Sequence, residues 1–108
     1  MGTKQWIVTR SDPYVGDYRV WGEPGCSAQN LGVGTVTESG LDTCKNFGDI
    51  VKAVNLTNVV DGCTFFVYSE IHCEGIRESI KKGSGCGNAI DVVWSSYQFT
   101  CDPIVPGN

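Results

Sequence analysis

The chain has 108 residues, of which 41% are hydrophobic and 19% charged, and its formal net charge is −4. That length suits one compact domain, residues 1–108, with a small core. The acidic balance argues against a nucleic-acid partner, which calls for a basic face, and against a cationic membrane-lysing peptide.

The opening "MGTKQW" lacks the apolar region of a signal peptide. The chain is therefore expected to be a mature domain, with Met1 and Gly2 added at its start. No stretch approaches the ~20 apolar residues of a membrane span. The segment "SDPYVGDY" (11–18) reads as a polar loop around a Pro and a Gly. Loops on rigid scaffolds are where binding usually sits. Trp6, Tyr14 and Tyr18 are accordingly candidates for an aromatic binding patch, against the alternative that they are core. Further on, Gly, Asn, Asp and Ser punctuate the chain at short intervals, which predicts short strands and turns. "GVGTVTES" (32–39) reads as an extended segment; no GK[ST] follows its glycines, so it is not a phosphate loop.

The best helical window, "LDTCKNFGDIVKAV" (41–54), is broken by Gly48 and rich in β-branched residues, leaving at most a short helical turn near 41–46. "IVKAVNL" (50–56) closes the first half as a strand. It carries a glycosylation sequon, Asn55-Leu56-Thr57. In "CTFFVYSE" (63–70), Phe65 and Val67 share one face with Cys63, and Phe66 and Tyr68 share the other. "GIRESIKK" (75–82) is extended; its basic cluster Arg77, Lys81 and Lys82 has Glu78 inside it and reads as a solvated surface. "VVWSSYQF" (92–99) is the closing strand, with Val93, Ser95, Tyr97 and Phe99 on one face and Trp94, Ser96 and Gln98 on the other.

Six cysteines stand at 26, 44, 63, 73, 86 and 101. The count is even and the spacing wide, with no C-x-x-C pair to suggest zinc or redox chemistry. Three disulfides in an oxidising, extracellular compartment are expected.

The chain also repeats itself. "RVWGEPGCSA" (19–28) lies over "FVYSEIHCEG" (66–75), matching Trp21 to Tyr68, Glu23 to Glu70 and Cys26 to Cys73. A second cysteine follows in each half, Cys44 or Cys86, with Asn46 or Asn88 two residues later and then Asp49 or Asp91. Treating each copy as self-contained predicts the bridges Cys26–Cys44 and Cys73–Cys86. Cys63 and Cys101 have no counterpart in the first copy and are left to pair with each other.

Two such units predict an all-β fold: two Greek-key motifs packed as a β-sandwich, the first over about residues 5–60 and the second over about 61–102. The pattern Tyr68-x4-Cys73-x-Gly75, with Ser96 in the final strand, resembles the βγ-crystallin Greek key. The first copy follows it less closely, as Trp21-x4-Cys26-x-Ala28, with Ala53 where the serine belongs. With its cysteines and Trp94, the chain more closely resembles small secreted fungal proteins of that fold, among them effector-like and killer-toxin-like proteins. The resemblance spans residues 18–101. It implies a hairpin folded over at 68–75 with Gly75 in a conformation other residues avoid. Calcium is the family's common ligand, through (N/D)(N/D)xx(S/T)S. Here Val92 interrupts one motif (91–96) and Lys52 the other (48–53), so no tight calcium site is expected.

Glu70, His72 and Glu74 alternate around Cys73 and raise the question of acid/base or metal chemistry. A hairpin tip in water supplies neither the burial nor the fixed charge that shifts a pKa, and one imidazole is a poor metal site. His72 is the only histidine and no spare thiol is expected, so no enzyme and no cofactor are expected. The expectation is a secreted, monomeric, non-enzymatic interaction protein, a fungal-type effector with a host target. An antimicrobial or killer-toxin-like protein is the alternative, and a proteinase inhibitor ranks after it.

Overall fold

The computed structural model describes residues 12–83 and 85–102. Eight strands make two four-stranded antiparallel sheets, and the described residues contain no α-helix. The strands are β1 (Tyr14–Trp21), β2 (Asn30–Thr37), β3 (Lys45–Val51), β4 (Ala53–Val59), β5 (Cys63–Glu70), β6 (Glu74–Ile80), β7 (Gly87–Asn88) and β8 (Trp94–Cys101). One sheet runs β2-β1-β4-β7. The other, taken from its far edge, runs β6-β5-β8-β3. Each half of the chain therefore keeps its first, second and fourth strands together and gives its third strand to the other sheet.

That exchange corrects the expected disulfides. The bridges are Cys26–Cys86, Cys44–Cys73 and Cys63–Cys101. Cys44 sits just before β3 and Cys86 just before β7, and each is carried with its strand to the hairpin of the opposite copy. The predicted Cys26–Cys44 and Cys73–Cys86 bridges do not form. The equivalence of the copies survives: exchanging 26 with 73 and 44 with 86 maps one observed bridge onto the other. Cys63 and Cys101 pair as expected, facing each other in register across β5 and β8.

A tryptic digest distinguishes the two patterns. Cys26 and Cys44 lie in one tryptic peptide (20–45), Cys63 and Cys73 in a second (53–77), and Cys86 and Cys101 in a third (83–108). The observed bridges predict one non-reduced species joining all three. Release of 20–45 as a free, internally bridged peptide would mean that the halves do not exchange strands.

Alternation places the core between the sheets. Val20, Val36, Val54 and Leu56 from one sheet meet Phe65, Val67 and Phe99 from the other. Half-buried Tyr18 stacks against this core on Phe65 with centroids 5.3 Å apart, and Phe65 stacks on Phe99 at 4.6 Å. The ring of Tyr18 occupies the space that a β-carbon at Gly34 would need, so this β2 position must stay bare.

Two local expectations also shift. "SDPYVGDY" is not a loop: from Tyr14 onward it is β1, the strand at the heart of its sheet. The short helical turn lies at Glu38–Gly40, a few residues before the expected place, and Lys45 and Asn46 already belong to β3.

Candidate functional site

The turn from Glu70 to Glu74 is a tight fold at the end of the β5–β6 hairpin. His72 and Cys73 both take left-handed backbone conformations, at φ 63° and 58°, and fold the hairpin back on its sheet. Ser96, fully buried in β8, holds the fold: its hydroxyl donates to the Glu70 carbonyl and accepts from the Cys73 amide at 2.9 Å. Gly75 has φ 81°, and a β-carbon there would run into the Ser69 hydroxyl and the Glu70 side chain. Glu70, His72 and Glu74 stand exposed around the bend. Among the described residues no three His, Cys, Asp or Glu side chains are grouped closely enough to hold a metal ion.

The same clamp recurs in both copies. Asn46, two residues past Cys44, accepts the His72 amide at 3.0 Å. Asn88, two residues past Cys86, accepts the Gly25 amide at 2.8 Å. Each third strand thus secures the opposite hairpin by one cystine and one asparagine. In β8 the Asn46 partner is Ser96; in β4 the Asn88 partner is Ala53, so the first copy lacks the serine strut.

At the calcium-motif positions, the Ser95 hydroxyl donates to the Ser69 carbonyl at 3.0 Å, and that of Ser96 is taken as above. Lys52 and Asp91 instead line a shallow depression of about 430 Å³ with Pro24 and Val92. A lysine ammonium there opposes a divalent cation.

The aromatic candidates separate. Trp6 lies outside the described residues. Tyr18 is not on a binding loop but inside the sandwich, where its hydroxyl donates to that of Tyr97 at 2.8 Å; burial, and then that hydrogen bond, push its phenol far above the usual range. Tyr14 is 38% exposed, and its hydroxyl donates to Asp17. Asn55 is half-buried on β4, a strand rather than a loop, and its sequon partner Thr57 donates to the Asp17 carbonyl.

Tyr14 leads to a feature that no sequence motif announced. It borders a groove of about 270 Å³ at the end of the sandwich. Val15, Leu41, Val60 and the Cys63–Cys101 bridge give it apolar walls, and Glu38, Asp61 and Asp102 stand around it. All three acids are exposed, and among the described residues no Lys, Arg or His lines the groove. Backbone hydrogen bonds fix its walls: the Val60 amide to the Val15 carbonyl at 2.9 Å, and the Asp102 amide to the Gly62 carbonyl at 2.7 Å. Residues from four separated parts of the chain meet here, so spacing alone gave no sign of it.

Next to Pro13 of the groove, Asp12 ties the segment before β1 to the end of β2 and the turn that follows it. It accepts from the hydroxyls of Ser39 and Thr37 and from the Ser39 amide, and these bonds, that of the Ser39 hydroxyl first, hold its carboxyl below the usual aspartate range. A depressed carboxylate contributes fully above its unfolded-state value and loses the contribution as pH falls through the lower folded value. The Asp12 carboxyl carbon is expected to titrate below the usual aspartate range in NMR, with the Ser39 amide shifting in step. In Asp12→Asn that amide step should vanish; its persistence would mean another group controls it.

No protein-family model matches the chain, and neither a curated protein nor a solved structure matches it.

Proposed function

We propose that this is a secreted, non-enzymatic interaction protein, an effector of the fungal type that acts by binding a target protein of a host. The observation that carries the reading is the apolar, acid-ringed groove, whose walls are fixed by backbone hydrogen bonds in a frame closed by three cystines. Such a site is already organised before a partner arrives, which lowers the ordering cost of association. The three disulfides fit an oxidising, extracellular setting. The effector class rests on the resemblance to small secreted fungal proteins.

The test is affinity capture from host extracellular fluid, run beside leaf infiltration and growth assays on yeast and bacteria. A specific host protein retained on the oxidised chain, with a leaf response and no effect on microbial growth, is expected. Growth inhibition of yeast or bacteria without host capture would replace this reading with a killer-toxin-like one.

A further inference from the structure

We infer that the groove beside Tyr14 receives an arginine side chain of a protein partner. The inference deepens the proposed function and rests on it for the presence of a partner. Ligand pockets for drug-sized molecules run from about 300 to 1,000 Å³. At about 270 Å³ this groove lies near the lower end of that range and has room for one long side chain. Its walls are those an aliphatic stem would choose: Val15, Leu41, Val60 and a cystine.

The charges select the head group. Glu38, Asp61 and Asp102 stand around the groove, with no cation lining it among the described residues. They come from three places in the chain, the turn after β2, the β4–β5 turn and the residue after β8. They do not form a metal-binding group. A compact ion would have no cage here, whereas a planar guanidinium spreads five donors and can reach separated carboxylates. Tyr14 adds an aromatic ring at the border, and its hydroxyl is engaged with Asp17. Arginine stacks on such rings more often than lysine does.

The test uses the full oxidised chain, labelled with 15N and titrated with the capped tripeptide Gly-Arg-Gly. Matched peptides carry lysine, citrulline or norleucine in place of arginine. Amide shifts are expected at Val15, Leu41, Val60 and Asp102. Arginine should bind best, lysine several-fold more weakly, and the two neutral peptides at least about tenfold more weakly; added salt should weaken only the charged peptides. The double variant Asp61→Asn/Asp102→Asn should lose about fivefold or more in arginine affinity while its other amide resonances stay in place. Glu38→Gln gives a second variant with the same expected direction.

Equal binding of citrulline, shifts confined to another face, or unchanged affinity in both variants would overturn the inference. So would arginine binding that appears only after residues 1–11 are deleted, since the chain's own start would then be the occupant. The two readings fail separately. A host protein captured equally well by wild type and by Asp61→Asn/Asp102→Asn removes the arginine site and leaves the interaction role standing. Arginine binding in the groove with no host protein captured does the reverse.

Discussion

Reduction is expected to unfold the protein. The bridges enclose sequence separations of 60, 29 and 38 residues. On the chain-entropy model each contributes roughly 4 kcal/mol, although overlapping loops make the three less than additive. A domain of this size has roughly 5–15 kcal/mol in total, so loss of the set removes most or all of it. Thermal melts followed by circular dichroism, with and without reductant, should show the cooperative transition vanish or move down by tens of degrees. The single replacements should rank. Removing Cys26–Cys86, the longest loop, should cost more than removing Cys44–Cys73 by about 0.6 kcal/mol. A reduced chain that melts within a few degrees of the oxidised one would place the stability in the aromatic core instead.

Ser96→Ala is expected to cost about 2–3 kcal/mol, or roughly 10–20 °C in melting temperature. The hydroxyl satisfies the Cys73 amide and the Glu70 carbonyl at once, beneath a turn with two left-handed residues. Alanine leaves both groups without that partner, and water has little room to replace it next to a fully buried site. Ser95→Ala is the control. Its hydroxyl makes one bond, to the Ser69 carbonyl, from a half-buried position, and its loss should stay near 1 kcal/mol. Equal losses in the two variants, by chemical denaturation, would mean that Ser96 is no strut.

The repeat, and with it the equivalence of Cys26 to Cys73 and of Asn46 to Asn88, was legible because each match lies within a short stretch of chain. So were the face of Phe65 and Val67, the role of Gly75 and the exposure of Glu70, His72 and Glu74, all of which local backbone geometry decides. What eluded the sequence was long-range. Nothing in the alternation of "KNFGDIV" says which sheet receives it, and that choice reversed two disulfides. Tyr18 read as a loop aromatic because Pro13 and Gly16 flank it. In the structure Gly16 is part of β1, where a β-carbon would meet the Asn58 carbonyl and the Phe99 ring. The groove was hidden for the same reason: Tyr14, Leu41, Val60 and Asp102 are neighbours only after both sheets have closed.

The exchange of third strands also sets a problem of timing. As the chain grows from its N-terminus, Cys26 emerges 60 residues ahead of its native partner but only 18 ahead of Cys44. In an oxidising compartment the first thiol within easy reach of Cys26 is therefore the wrong one, because short loops close more readily than long ones. Maturation should pass through a Cys26–Cys44 species, which thiolate attack must later open once Cys73 and Cys86 have been made. The yield of correctly bridged protein then depends on how well the cell that makes it reshuffles disulfides, and trapping the thiols of growing chains during synthesis should catch that early, non-native bridge.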